Sequence, residues 1–326
     1  MKKQVNVLIT AASRRVALIR GFAEGLKKAG AAGRVVVTDS DPLSPGLFFC
    51  SGHHIVPLAT SPDYIPAIKE ICKSEDISLL IPTIDEELPI FGKHKEEFRL
   101  MGVRIPVSDE EIGNVCNDKY KTYLFFKENG LPFAETWLPD EVRKLKPELP
   151  LFIKPRFGRG AVQAYPIFKK KELDFFLDYV QDPIVQRFLP GKEYTVDVLC
   201  DFEGRVISVV PRHRMVIRSG VCDRGMTEKN QKLMALAEEA AKKLRLVGAA
   251  NLQCKVDGDN IQFFEVNARF SGAIQLTINA GADFPHMMLQ MLNGGVKPCI
   301  GEFEDKLTMV SYEESLYRHP ANGRKN

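Results

Sequence analysis

The sequence predicts an α/β domain followed by an α+β domain. Three observations carry this. Apolar strands alternate with amphipathic helices over the first third of the chain. Two-residue turn signals flanked by β-rich runs recur only after residue 190. The chain, at 326 residues, is long enough for two domains with sizeable cores, without a disulfide or structural metal.

The elements follow in order. Val5–Thr10 (VNVLIT) reads as a buried first strand, and Arg14–Lys28 as a helix with Val16, Ile19, Phe22, Ala23 and Leu26 on one face. Arg34–Thr38 is a second strand ending at Asp39. Ala67–Lys73 is a helix, Ser78–Pro82 a strand, Asp85–Phe98 a helix and Val103–Pro106 a short strand. Strand–helix alternation of this kind implies a parallel sheet covered on both faces. The pattern changes near residues 107–115. Asp109–Glu128 reads as two short helices, Leu151–Lys154 and Ala161–Ile167 as strands around a glycine turn, Glu172–Val180 as a helix and Ile184–Phe188 as a strand. Tyr194–Asp201 and Val206–Pro211 flank Glu203-Gly204. Ala250–Asp257 and Asn260–Val266 flank Gly258-Asp259. Both are hairpin signals and imply an antiparallel sheet. Glu228–Leu244, Gly272–Ala280 and Pro285–Leu292 read as helices, and the last few residues as disordered.

Composition removes several classes of function. With 45 Lys+Arg against 42 Asp+Glu the net charge is +3, too mild for nucleic acid or an anionic membrane as the main partner. No apolar stretch approaches the roughly 20 residues of a membrane helix, and the N-terminal run reads as a strand rather than a signal peptide. The seven cysteines are odd in number, widely spaced and free of C-x-x-C, which fits reduced thiols in a cytoplasmic protein.

Three stretches suggest chemistry. In Phe152–Ala161 (FIKPRFGRGA) a lysine ends an apolar strand and a turn follows with two glycines and two arginines. Glycines let backbone N–H groups approach an anion and the cations supply charge, which suits a polyphosphate; an ordinary basic turn fits the same residues. In Glu265–Gly272 (EVNARFSG) Glu265 and Asn267 sit two apart on a strand and share a face, with Gln253 on the preceding strand of the hairpin. Such oxygen donors suit a hard cation such as Mg²⁺, and Arg269 adds a planar cation for a phosphate or carboxylate. Gln186–Tyr194 (QRFLPGKEY) runs from a strand through a turn, where backbone groups would read an adenine edge and Glu193 would accept from ribose hydroxyls.

Taken together these segments resemble the ATP-grasp superfamily, most closely its carbamoyl-phosphate-synthase large-subunit-like and biotin-carboxylase-like branch. The resemblance covers nearly the whole chain. It implies a Rossmann-like pre-ATP-grasp domain over 1–110 and a two-lobed ATP-grasp domain over 111–326, with an ATP lobe at about 111–190 and a Mg/substrate lobe at about 191–310. It implies that Lys119 and Lys154 reach the ATP phosphates under a flap at Gly158, Gly160 and Ala161. Gln186, Arg187 and Phe188 would then contact adenine, a position where the family often carries an acid. Glu193 would contact ribose, and Gln253, Glu265 and Asn267 would hold Mg²⁺ (or Mn²⁺). Arg269 would stabilise the transferred phosphoryl group, with Arg214 facing it. The activity implied is Mg-ATP-dependent activation of a small-molecule carboxylate as an acyl-phosphate and its coupling to an amine, with release of ADP and with a homodimer as an allowed assembly. A carbamoyl-phosphate-synthase-like subunit acting on bicarbonate or carbamate with a partner chain, and a nucleotide-binding regulatory protein with a degenerate site, are the alternatives.

The remaining signals are weaker. The first turn, Thr10–Arg15, lacks G-x-G-x-x-G, so no dinucleotide is expected, and Asp39 is expected to cap a turn. Thr83, Asp85 and Glu86 follow a central strand, where open α/β sheets place ligands. They would contact an amine, or Asp85 would serve as the acid of a helix start. His53-His54 reads as a solvated turn, and His213 as a rim residue. Arg218–Thr227 reads as the connection that selects the substrate.

Overall fold

The computed structural model describes residues 4–218 and 220–317. Residues 1–3, Ser219 of the expected 218–227 connection, and residues 318–326, which include the last few expected to be disordered, lie outside the described residues.

The first sheet is parallel and ordered β3-β2-β1-β4, from β1 (Asn6–Ile9), β2 (Val35–Asp39), β3 (Gly52–Ile55) and β4 (Ile77–Ile81). Its central strands are buried and mostly apolar, with Asn6 at the start of β1 and Thr38-Asp39 at the end of β2, because helices cover both faces. These helices are α1 (Val16–Lys28), α2 (Tyr64–Ser74) and α3 (Glu87–Leu100). Val103–Pro106 does not form the expected strand. Only Arg104 bridges to Leu79, because Gly102 turns the chain before it and Pro106, without an N–H, cannot extend the ladder. His53 and His54 lie within the edge strand β3 rather than in a turn, and His54 Nε2 meets Glu75 at 2.7 Å.

Two short helices follow, α4 (Glu110–Asn117) and α5 (Lys119–Glu128). Asp118 caps α5 by accepting from the Tyr120 and Lys121 amides. A four-stranded antiparallel sheet, ordered β5-β8-β6-β7, comes from β5 (Thr136–Trp137), β6 (Leu151–Pro155), β7 (Tyr165–Ile167) and β8 (Pro183–Arg187), with α6 (Pro139–Leu145) and α7 (Lys170–Tyr179). Neither β5 nor α6 was expected from the pattern. The strand expected over Ala161–Ile167 shrinks to β7, because Ala161 (φ 56°) and Gln163 (φ 53°) are left-handed and cannot enter a ladder. This sheet has its own small core of Trp137, Val142, Leu151, Ile153, Ile167, Val180 and Val185.

The second antiparallel sheet has six strands ordered β13-β12-β9-β10-β11-β14: β9 (Lys192–Cys200), β10 (Val206–Arg218), β11 (Val221–Thr227), β12 (Gly248–Asp257), β13 (Asn260–Asn267) and β14 (Thr308–Val310). It shares one continuous core with the parallel sheet. Helices α8 (Gln231–Lys243), α9 (Ile274–Asn279) and α10 (Phe284–Met291) complete the fold, and α10 packs so closely on α1 that a Cβ on Gly25 would lie 3.3 Å from the His286 backbone. The expected connection Arg218–Thr227 is instead a strand, β11, hairpinned onto β10 and flanked by β14, which the pattern did not reveal. Among the described residues no helix is long and apolar enough to cross a membrane.

Candidate functional site

A cleft of about 700 Å³ opens between the two antiparallel sheets. One wall comes from α5, β6 and β8, the other from β9, β10, β12 and β13, and the β6–β7 loop lies over it. Of the residues expected at the site, Lys119, Lys154, Gly158, Gly160, Ala161, Gln186, Arg187, Phe188, Glu193, Arg214, Gln253 and Glu265 all line this cleft. Asn267 and Arg269 do not. They stand one step behind it, in a chain of hydrogen bonds.

Two buried lysines mark the floor. Lys154, at the end of β6, donates to the Phe264 carbonyl at 3.2 Å and lies 5.2 Å above the Phe264 ring. Burial pulls its pKa down to about 8, against the opposing pull of the Glu265 carboxylate. Lys119 opens α5 and donates to the Gly158 carbonyl at 2.7 Å. A bidentate pair from Arg156 to the capping Asp118, at 2.8 and 2.6 Å, ties the start of the β6–β7 loop to the same helix end. Sequence reasoning counted Arg156 among the turn cations suited to a polyphosphate, not as the partner of Asp118, and gave Asp118 no place here. The cap position of Asp118 before Lys119 was the available signal.

The loop tip reaches both neighbours. A Cβ on Gly220, in the β10–β11 turn, would lie 2.8 Å from Gly160 backbone atoms, so only glycine fits there. Gly220 also has φ +74°, in the left-handed region. Arg159 of the same loop pairs with Glu86 at the start of α3.

On the β8 side, Gln186 donates from its amide to the Thr136 hydroxyl at 2.9 Å, and Arg187 pairs with Glu135 at 2.9 Å while lying over Trp137. Opposite, Glu193 is shared by two cations, Arg214 at 2.6 Å and Lys255 at 3.0 Å. Arg214 also donates to the Gln253 amide oxygen at 3.3 Å and to the Gly220 carbonyl at 2.7 Å. Lys255 is a cleft residue that the sequence reading did not single out.

The placing of Glu265 depends on a β-bulge. Gln253 pairs with Glu265 and Cys254 with Phe263, which leaves Phe264 as an extra residue. Ile261 and Phe263 point into the core; after the bulge it is Val266 that does so, and Phe264 and Glu265 both face the cleft. Behind it, Asn267 donates to Glu265 at 3.1 Å, and Arg269 donates to the Asn267 amide oxygen at 3.0 Å and to Asp85 at 2.9 Å.

Other candidates sort clearly. Thr83 is fully buried and its hydroxyl donates to the Thr10 and Ala11 carbonyls, so it is not open to a substrate as the sequence allowed. Asp39 accepts the Ser13 and Asp41 amides and caps turns as expected. His213 stacks on Tyr194 with ring centroids 5.2 Å apart, away from the cleft lining. Burial pushes the thiols of Cys72, Cys116 and Cys200 up to about 12, which keeps them protonated. No group of three or more His, Cys, Asp or Glu residues that could hold a metal ion occurs among the described residues.

Comparison with known proteins agrees with this architecture. A family model described as ATP-grasp in the biosynthetic pathway with Ter operon matches residues 179–315, and a PylC-like N-terminal domain model matches residues 7–106. Among solved structures, biotin carboxylase from Campylobacter jejuni is 17% identical, with a TM-score of 0.72 over 93% of this chain and 74% of that one. An L-amino acid ligase from Bacillus licheniformis is 18% identical, with a TM-score of 0.71 over 91% of this chain and 76% of that one. The biotin carboxylase domain dimer of Hydrogenobacter thermophilus 2-oxoglutarate carboxylase, solved with MgADP and bicarbonate, is 15% identical, with a TM-score of 0.73 over 93% and 73%. The chain thus has the ATP-grasp fold, and its resemblance is to the biotin-carboxylase-like branch of that superfamily.

Proposed function

We propose that this protein is an ADP-forming ligase that uses Mg-ATP to activate a carboxylate and couple it to an amine. The observation that carries the reading is the opposition, across one cleft, of two buried lysines and the bulge-presented Glu265. A lysine as deeply buried as Lys154 is costly unless an anion joins it, and the triphosphate of ATP is such an anion. ATP supplies the phosphoryl group. Lys154 and Lys119 hold its phosphates, the loop at Gly158–Ala161 covers them, and the β8 end at Gln186–Phe188 takes the base. The similar biotin carboxylase domain solved with MgADP supports the same use of nucleotide and metal.

The donor set fits Mg²⁺. Glu265 offers a carboxylate, and Gln253 and Asn267 offer amide oxygens that now accept from Arg214 and Arg269. A hard cation held by few protein oxygens, and completed by phosphate, matches that set. It would neutralise charge on the phosphates. The acid's carboxylate oxygen bonds to the γ-phosphorus as the bond to ADP breaks. The amine then bonds to the acyl carbon, phosphate leaves and the amine proton passes to solvent. Arg214 and Arg269 are placed to orient and neutralise the oxygens of these groups.

The test is Mg²⁺-dependent release of ADP and phosphate, screened against pooled amino acids, other carboxylates, bicarbonate and amines. Release that requires one acid and one amine supports the ligase. Release with bicarbonate alone moves the reaction to a carbamoyl-phosphate-like step. Glu265→Gln is expected to lose turnover by at least 10²-fold with its melting temperature intact; near-normal activity in that variant refutes the metal assignment.

A further inference from the structure

Glu87 opens α3 and is a buried carboxylic acid that stands apart from the nucleotide cleft. Its Oε2 accepts from the Thr10 hydroxyl at 2.9 Å and from the Thr83 amide at 3.2 Å, and its Oε1 accepts from the Tyr64 hydroxyl. These three partners are donors and none of them is a cation. Burying a carboxyl costs free energy, so its role is to be sought in the bonds it makes. Among the described residues, the titratable groups that face it are Tyr64 from α2 and, acting on Tyr64, Asp39 from the end of β2. Helix α4, packed on α3, brings Cys116, whose charged neighbour is Asp85.

These bonds tie two turns together. Thr10 follows β1 and Thr83 follows β4, so Glu87 holds the carboxyl ends of two neighbouring parallel strands. The Thr83 hydroxyl returns to the Thr10 and Ala11 carbonyls at 2.9 and 2.8 Å. Ala11 stands at φ 47°, a left-handed conformation that a residue with a Cβ keeps only where its neighbours fix it. From the tied turns two paths run to Arg269. The Thr83 carbonyl accepts from Arg15 at 2.9 Å, and Arg15 donates in turn to the Phe270 and Ser271 carbonyls at 3.2 and 2.9 Å. Asp85, two residues after Thr83, accepts from Arg269 at 2.9 Å.

We propose that Glu87 is a positioning residue for Arg269: by joining the turns after β1 and β4 it sets where Arg15 and Asp85 hold the segment Arg269–Ser271. Glu87 itself touches no substrate. The tie has two strengths. As a carboxylate, Glu87 holds the Thr83 amide by a charge-assisted bond; as a neutral acid it holds that amide by an ordinary one. The Tyr64 hydroxyl is able to accept the added proton, whereas the Thr83 amide only donates. Burial pushes the carboxyl up to about 7, so both forms are populated near neutral pH. The placing of Arg269 is thereby coupled to pH from outside the cleft. That the coupling acts on the activation of an acid rests on the function proposed above; the tie itself does not.

The experiment uses full-length protein labelled with ¹⁵N-arginine. It follows the Nε–H signal of Arg269, assigned by its loss in Arg269→Lys, from about pH 5.5 to about pH 8.5. The expected result is a shift with a midpoint near about pH 7. In Glu87→Gln the step is gone and the signal stays at its low-pH position, while in Asp39→Asn the step remains. A signal flat with pH, a step that survives in Glu87→Gln, or a step lost in Asp39→Asn overturns the proposal. Should Glu87→Gln fail to fold, Tyr64→Phe removes one donor that favours the carboxylate. That variant is expected to raise the midpoint by at least about half a pH unit, and an unchanged midpoint overturns the proposal equally. With an acid found in the substrate screen, Glu87→Gln at about pH 8 is expected to raise the KM for that acid at least about threefold while Mg-ATP affinity changes less than about twofold. Equal losses in both mark a general structural role and overturn it. Absence of ADP release in the screen refutes the ligase without moving the Arg269 signal, and a flat signal beside ADP release refutes the positioning role alone.

Discussion

Lys154 offers a quantitative handle on the nucleotide site. Burial brings its pKa from the ordinary lysine value of about 10.4 to about 8 in the free protein. Next to bound phosphates, the charged form is favoured again. Binding of Mg-ATP then takes up about 0.1 proton at pH 7, about 0.5 at pH 8 and about 0.9 at pH 9. Affinity falls toward tenfold per pH unit above pH 8, since the lysine must first be protonated. The free protein responds with the opposite sign. Between pH 8 and about 10.4 the unfolded chain binds more protons than the folded one, so stability rises with pH across that window, by about 3 kcal/mol in full. Calorimetric titration of Mg-ATP in buffers of differing ionisation enthalpy measures the uptake directly. Lys154→Met is expected to abolish it and to weaken binding. Glu265→Gln removes the carboxylate that holds the lysine charged and moves the uptake to lower pH. Uptake below about 0.1 proton at both pH 8 and pH 9, or uptake that survives in Lys154→Met, refutes the assignment of this lysine to the phosphates.

Other features make separate predictions. Glu87 is buried against Tyr64, Thr10 and the Thr83 amide, and burial pushes its carboxyl up to about 7. The folded protein therefore holds more protons than the unfolded chain between about pH 4.3 and 7, and stability falls by about 4 kcal/mol as pH rises through that window. A melting-temperature series should show the slope flattened in Glu87→Gln, and an unchanged slope rules out that carboxyl as its source. Asp197 and Arg212 form a pair with each side chain only 1% exposed, joined by Ser271 and Thr277. Asp197→Asn leaves a buried guanidinium unmatched and should cost about 3–5 kcal/mol in chemical denaturation; a loss under about 1 kcal/mol would contradict that reading. At Gly248 (φ +80°) a Cβ would lie 2.0 Å from the Pro106 carbonyl oxygen, so Gly248→Ala should destabilise by at least about 2 kcal/mol, and a melting temperature equal to wild type would refute the close approach.

Much of the fold was legible because period and turn chemistry agree locally. Three of the four parallel strands announce themselves as apolar runs, and the two hairpins as Glu203-Gly204 and Gly258-Asp259; β3, polar and half exposed at the sheet edge, does not. Short or polar strands were not. Thr136–Trp137 and Thr308–Val310 are too brief to show a period. Val221–Thr227 reads as a loop because its strand identity comes from β10 and β14 on either side, not from its own residues. In the cleft, the residue types of Lys154 and Glu265 were readable in sequence. The engagement of Glu193 with Arg214 and Lys255, and the set-back of Arg269 toward Asp85, were not, since they depend on strands far apart in the chain.

The bulge at Phe264 makes that position a spare residue of the strand. Deleting that one residue would restore plain alternation through β13. Ile261, Phe263 and Val266 would still face the core and Glu265 the cleft, because the residue removed is the extra one. What would go is the Phe264 carbonyl that accepts from Lys154, and the ring beneath that lysine. In comparing homologues of this chain, a one-residue gap at Phe264 is therefore a mark of a changed seat for Lys154, not of a lost cation-holding face.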